Sequence, residues 1–173
     1  MSGLLAAIAV WLAGGLASWL ARRHPGRASV IGAGAALVGA ALAAGPAYRA
    51  LAGHHVALLG GGWSVPYGAL SLKLDALAAA FLLPTCVVGA LCAVGGAGAL
   101  RTHAGGASAG AGFAAYNALL ASMAIVATAT NLVLLLMAWE AMTLTSFALV
   151  VSEHDARAVR RAGFQYLVFS HLA

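Results

Sequence analysis

The sequence predicts an all-α integral membrane protein, and two features of its composition support this prediction. Of its 173 residues, 63% are hydrophobic and 8% are charged, with a mean hydropathy of +0.96, whereas soluble domains carry roughly 25% charged residues. The basic residues give a net charge of +5 and stand at the ends of apolar runs, which is typical of topogenic charge rather than nucleic-acid binding. We therefore expect a multi-pass protein of the cell inner (plasma) membrane.

Six apolar runs predict about six transmembrane helices within one membrane domain, residues 1–173. The predicted helices cover residues 3–21, 28–48, 72–100, 112–129, 131–151 and 157–173. The last has about 17 residues, which is near the lower limit for crossing a bilayer. A glycine-rich stretch, "GHHVALLGGGWSVPYG", separates the second and third runs. Its glycines are not followed by the Gly-Lys-Ser/Thr of a phosphate-binding loop. The stretch is therefore expected to be a flexible extracytoplasmic connection.

The distribution of basic residues predicts the orientation of the chain. The first, third and fifth loops contain seven arginines, and the second loop contains Arg49 and Lys73. Because cytoplasmic loops carry the excess of Lys and Arg, the odd-numbered loops are predicted to be cytoplasmic and the N-terminus to lie outside. No basic residue precedes the first apolar run, so that run is expected to be a retained span rather than a cleaved signal peptide.

Runs such as "IGAGAALVGAALAAG" are rich in alanine and glycine. Small residues let helices approach closely in lipid, where tight contact drives association. These runs therefore favour a packed bundle over separate membrane anchors.

Glu140 is the candidate for function with the clearest physical argument. It lies near the middle of "NLVLLLMAWEAMTLTSFALVV", where a charge costs about 2.5–3.5 kcal/mol on insertion scales. The residue is expected to face the bundle interior, pair with a cation or bind a proton, and Leu136 and Leu144 share its side at helical spacing. Thr143 can donate a hydrogen bond to it. The alternative is a structural carboxylate fixed in a hydrogen bond.

His171 is the second candidate, because it alone of six histidines lies deep in an apolar run, "FQYLVFSHLA". A neutral imidazole both accepts and donates a proton, which suits a relay. A core histidine with satisfied hydrogen bonds is the alternative that stays open. Ser170 is a weaker polar candidate in the same run.

Asp75 and Lys73 are secondary polar candidates at the outer mouth of the third predicted helix. An acid at a helix N-terminus commonly acts as a cap or dipole partner, and this interpretation competes with a functional one. The two residues alternate on a strand and diverge on a helix, so they need not pair.

No basic residue lies within an apolar span, so the sequence offers Glu140 no cation of its own chain. Cys86 and Cys92, six residues apart, form no metal pattern.

The run "NLVLLLMAWEAMTLTSFALV" resembles the fifth helix of the antiporter-like membrane subunits of respiratory complex I and its relatives, the Mrp sodium/proton antiporters and the energy-converting hydrogenases. Trp139, Glu140 and Met142 match the family pattern, as do Leu144, Ser146, Phe147 and Leu149, while Thr143 replaces the usual serine. "LKLDALAAAFLL" is similar to the family's third helix, and "GFQYLVFSHLA" to the sixth. The histidine of the sixth resembles the hydrogenase-4 and formate hydrogenlyase branch.

The resemblance implies a subunit that carries protons, or sodium in some antiporters, within a redox-driven complex with other membrane subunits. Such subunits carry no metal or organic cofactor and belong to quinone- or hydrogenase-linked oxidoreductase complexes without being catalytic themselves. Glu140 would be the charge partner of a lysine on a later helix, and His171 would belong to the polar path toward the centre.

The chain departs from this family in length. The family has about fourteen helices with two inverted five-helix repeats, whereas this chain stops inside the sixth, before the lysine helix and the broken seventh helix. Alone it is not expected to transport protons across a membrane. A structural membrane anchor or assembly subunit without ion transport, and a fragment of another secondary transporter, remain alternatives.

Overall fold

The computed structural model describes residues 1–54, 57–65, 68–103, 106–152 and 156–172. Six helices and two strands follow one another in these residues: α1 (Ser2–Leu20), α2 (Pro25–Leu51), β1 (Ala57–Val65), β2 (Gly68–Leu74), α3 (Ala76–His103), α4 (Gly106–Thr128), α5 (Leu132–Val150) and α6 (Arg157–Leu172). Helices α1 to α5 are long and apolar enough to cross a membrane. The protein is therefore a helical multi-pass membrane protein. Positions 55, 56, 66 and 67 of the glycine-rich connection, and the predicted helix end at position 173, lie outside the described residues.

Helix α6 differs from the sixth span that the sequence predicts. It has 16 residues, a length of about 24 Å, which is shorter than the roughly 30 Å hydrocarbon core. Its first turns carry Arg157, Arg160 and Arg161. The described part of the chain thus contains five candidate spans and one shorter helix, rather than six spans.

Helix α2 lies at the centre of the bundle and packs against α1, α3 and α4. Its buried residues are all small: Ala28, Ser29, Gly32, Ala33, Ala36, Gly39, Ala40, Ala43, Ala47 and Ala50. They recur every three or four residues, so they form one continuous face along which the neighbouring backbones approach. The expectation that the Ala/Gly-rich runs pack within a bundle is confirmed.

Trp11 fills the space that these small residues leave between α1 and α2. It is fully buried, and its Nε1 donates a hydrogen bond to the backbone oxygen of Ala36 at 3.2 Å. A Cβ atom at Gly39 would overlap the indole ring. Glycine at position 39 is thus required by the close approach of Trp11.

The connection before α3 is an antiparallel hairpin in which Leu59 pairs with Leu72 and Ala57 with Leu74. Leu72 and Leu74 are buried, while Lys73 between them is exposed. This alternation is the period-2 pattern of a half-buried strand, so the predicted start of the third helix at Leu72 is wrong.

Asp75 is the N-cap of α3, as one of the two sequence interpretations holds. Its Oδ1 accepts a hydrogen bond from the backbone N–H of Ala78 at 2.9 Å. Its Oδ2 also forms an ion pair with Lys73 Nζ at 3.1 Å. The sequence did not require this pair, which forms where strand β2 leads into α3. The Ala78 N–H first, and then the Lys73 ammonium, lower the pKa of the Asp75 carboxyl.

This lowered pKa predicts how the cap contributes to stability as pH changes. The stabilisation is fully present above the ordinary pKa of an aspartate and is lost as pH falls through the lower pKa of the folded state. We expect wild type to exceed Asp75→Ala in thermal unfolding temperature at pH 7 and to lose that advantage below about pH 4. Asp75→Asn, which caps without titrating, serves as control and should show no comparable pH dependence. A gap between wild type and Asp75→Ala that is equal at both pH values would contradict this account.

Candidate functional site

The first turn of α5 is anchored to the hairpin. The Asn131 side chain caps the helix by accepting a hydrogen bond from the N–H of Leu134 at 2.9 Å, and it donates one to Ser71 Oγ at 3.0 Å. Thr130 Oγ1 donates to the backbone oxygen of Ser71 at 3.1 Å. These contacts fix the position of α5, and with it the level at which its side chains lie in the bundle.

Glu140 stands near the middle of α5. It follows Leu132 by eight residues and precedes Val150 by ten, which places it about 12 Å from one end and 15 Å from the other. The helix is one of the five candidate spans. The carboxyl group is therefore far from both ends of a membrane-spanning helix, as the sequence predicts.

The face of α5 that carries Glu140 is only partly covered by the other described helices. The Glu140 side chain is 55% exposed, and Leu136 and Leu144 on the same face are each 54% exposed. Leu134 and Ala138, in contrast, are buried, because α5 packs on α4 and β2. The predicted inward orientation is thus not found in the described part of the chain, and the face is available to a further segment or subunit.

Helix α6 brings His171 to this face. The helix packs against α5, and a Cβ atom at Gly163 would overlap Val151, so glycine permits the close approach. Further along α6, His171 Nε2 lies 3.1 Å from Glu140 Oε2. The expectation that the chain offers Glu140 no cation partner overlooks this pair, because a histidine becomes a cation when it is protonated.

The second ring nitrogen of His171 determines how protons are placed in this pair. His171 Nδ1 lies 2.8 Å from the backbone oxygen of Leu167. A carbonyl oxygen only accepts, so Nδ1 carries a hydrogen and donates it. With that hydrogen in place, a neutral imidazole has no hydrogen on Nε2, which would leave two acceptors facing each other across the contact with Glu140.

A hydrogen bond between Nε2 and Oε2 therefore requires a further proton. It resides either on the imidazole, giving an imidazolium paired with a carboxylate, or on the carboxyl group, which then donates to a neutral imidazole. The two forms differ only in the position of one proton. Either form joins α5 and α6 by one hydrogen bond near the middle of α5.

The remaining sequence candidates lie apart from this pair. Thr143 is buried, and among the described residues the Glu140 carboxylate contacts His171 rather than Thr143. Ser170 Oγ donates to the backbone oxygen of Tyr166 at 2.8 Å, so its hydroxyl is engaged by its own helix. Lys73 and Asp75 line an apolar cavity of about 710 Å³ between α3, α4 and α5.

Asn117 is a buried polar residue that the sequence interpretation missed. It is fully buried, and its Nδ2 donates to the backbone oxygens of Gly32 at 3.0 Å and Phe113 at 2.9 Å. Its Oδ1 has no hydrogen-bond partner among the described residues. An amide within the apolar run "FAAYNALLASMAIV" is the signal that would have identified this link between α2 and α4.

In the described part of the chain, no group of three or more His, Cys, Asp or Glu side chains is arranged to hold a metal ion. Glu140 and His171 are two ligands at most, and both are occupied with each other.

No family model matches the chain. The chain is similar to an uncharacterized protein of Mycobacterium tuberculosis, found in two strains, with 33% identity over 112 residues. The match covers 64% of this chain but only 17% of each relative. The chain is thus similar to a minor part of polypeptides that are several times its own length.

Proposed function

We propose that the chain is the N-terminal helical part of an antiporter-like membrane subunit that translocates protons, and that the Glu140–His171 pair is a relay within it. The observation that carries the proposal is the 3.1 Å contact between Nε2 and Oε2, with Nδ1 already bound to Leu167. In this relay one of the two groups, the Glu140 carboxyl or the His171 imidazole, accepts a proton and the other releases it. The contact is a structural observation that supports the proposal alongside the sequence resemblance of α5 to the complex I-type subunits.

The exposed position of Glu140 supports a role within a larger assembly. A charge facing lipid at this depth costs about 2.5–3.5 kcal/mol, and His171 occupies only one side of the carboxylate. Further protein against the face of Leu136, Glu140 and Leu144 would remove this cost. In the resembling family a lysine on a later helix has this position, and it would draw the proton from Glu140 toward His171 when its own charge approaches.

The length of the mycobacterial relatives is consistent with this assignment. The matched 112 residues make up 17% of each relative, so these polypeptides have room for many more spans than the five described here. A roughly fourteen-helix subunit of the inner membrane, in a complex with other membrane subunits and a quinone- or hydrogenase-linked oxidoreductase, is the proposed setting.

The composition of the pair favours a proton over sodium as the transported ion. Sodium in transporters is held by oxygen atoms, including backbone carbonyls. Here one of the two groups is an imidazole, whose Nε2 is directed at the Glu140 carboxyl group. Bringing sodium to Glu140 would require His171 to leave.

A structural role is the second candidate, and the exposed face itself favours it. Leu136, Met137, Trp139 and Leu144 are each about half exposed, and together they form an apolar surface on which a partner subunit can pack. In that case the Glu140–His171 pair would be an assembly contact. Its loss would then reduce the amount of complex without changing the transport rate per complex.

Proton flux in vesicles that contain the complete parent protein separates the two candidates. Glu140→Gln keeps a hydrogen-bond donor for His171 but cannot release a proton, so flux per assembled complex is expected to fall about 100-fold. Thr145→Val is the matched control on α5, because the Thr145 hydroxyl donates to the backbone oxygen of Ala141 on its own helix. Unchanged flux in Glu140→Gln at normal assembly would rule out the relay.

A further inference from the structure

The turn between α1 and α2 concentrates positive charge that this part of the chain does not balance. Arg22, Arg23 and Arg27 lie within six residues and are all exposed. The first 74 residues contain no Asp or Glu. Among the described residues, the carboxylates in ion pairs are engaged with Lys73 and His171. The described ion pairs therefore do not include these three arginines.

An apolar hollow adjoins this charge. A shallow, open depression of about 600 Å³ on the exposed face of α2 is lined by Pro25, Gly26, Arg27, Val30 and Ile31. Val30 is 61% exposed. Residues three and four apart share one face of a helix, so Val30 and Ile31 lie on the same face of α2 as Arg27, one turn further along the helix. The Arg27 cation is therefore at one end of an apolar groove.

The level of Arg27 coincides with a membrane interface. Arg27 and Arg49 are 22 residues apart on the same helix, or about 33 Å, which matches the roughly 30 Å hydrocarbon core. Trp19 is 42% exposed, and the guanidinium of Arg22 lies 4.2 Å from its ring centre. Exposed Trp beside Arg is typical of the headgroup region.

We infer that this surface binds an anionic phospholipid. The Arg27 guanidinium pairs with the lipid phosphate, for which its planar fork is suited, and Arg22 and Arg23 add attraction to the negative headgroup. An acyl chain lies in the hollow along Val30 and Ile31. The adjacency of unbalanced cations to an exposed apolar groove fits a lipid, because a lipid supplies phosphate and acyl chain together. The inference is independent of the proposed proton relay.

Native mass spectrometry of the purified chain in a neutral detergent tests this site. Phosphatidylglycerol is expected to bind more tightly than phosphatidylcholine with the same acyl chains. Each basic residue near an anionic lipid surface contributes about 1 kcal/mol, so Arg27→Gln should weaken phosphatidylglycerol binding about fivefold and leave phosphatidylcholine unchanged. Arg49→Gln removes the same charge from the other end of α2 and should leave both affinities as in wild type.

Two outcomes would overturn the inference. Equal affinity of wild type for the two lipids would show that the arginines do not recognise the headgroup. Equal losses in Arg27→Gln and Arg49→Gln would show a general attraction by net charge rather than a site. Val30→Ser, which retains every charge, is expected to weaken both lipids, and no change in that variant would exclude the hollow as the acyl site.

Discussion

Loss of Glu140 or His171 is expected to lower proton translocation about 100-fold in the parent protein, and loss of both is expected to cost no more than loss of one. The reason is that the proposed relay assigns one proton to the pair, whose Nε2 and Oε2 are separated by 3.1 Å. Once either group is replaced, the other has no partner with which to exchange that proton. Residues that act as a unit show this lack of additivity.

The test is a double-mutant cycle with Glu140→Gln, His171→Gln and the combined variant, measured as proton flux per assembled complex. Ser170→Ala is the control beside His171, because the Ser170 hydroxyl is bound to Tyr166 of its own helix. Its flux should equal that of wild type. Effects that multiply in the combined variant would mean that the two residues act separately.

Replacement of Trp11 by alanine is expected to destabilise the bundle by about 3 kcal/mol. Trp11 is fully buried against α2, and the substitution removes its hydrogen bond to the Ala36 carbonyl and leaves a cavity beside Gly39. In lipid the hydrophobic effect contributes little between helices, so lost packing is the main cost.

Trp19→Ala is the matched control on the same helix. Trp19 is partly exposed and its described contact is the cation–π interaction with Arg22, which is worth about 1 kcal/mol or less at an exposed site. The two variants are compared by unfolding the purified protein in detergent and following its helix content by far-ultraviolet circular dichroism, which does not rely on tryptophan fluorescence. Equal losses of stability would contradict the packing described for α1 and α2.

The hydropathy pattern predicted all six helices, five of which are candidate spans, because length and apolar composition are local properties of the chain. The start of α3 was placed too early, since Leu72 and Leu74 are apolar in either structure. Their alternation with Ser71 and Lys73 was the signal for a strand. Asp75, for which the sequence also suggested a capping role, marks the true start of the helix.

For the site, the sequence identified both members of the pair but did not join them. Glu140 and His171 are 31 residues apart on different helices, and helical periodicity describes only neighbours within one helix. Their contact depends on the close approach of α6 at Gly163, which no local pattern encodes. The outward direction of the Glu140 face depends likewise on the packing of α5 against α4, so sequence spacing alone could not supply it.

The protonation of the His171 ring nitrogens tests the central claim most directly. Solid-state ¹⁵N NMR of the protein labelled at histidine, assigned by comparison with His171→Gln, distinguishes a protonated from a bare ring nitrogen. The account predicts a hydrogen on Nδ1, bound to the Leu167 carbonyl, and an Nε2 signal that changes in Glu140→Gln. A neutral ring with its hydrogen on Nε2 and a bare Nδ1 would contradict the shared proton.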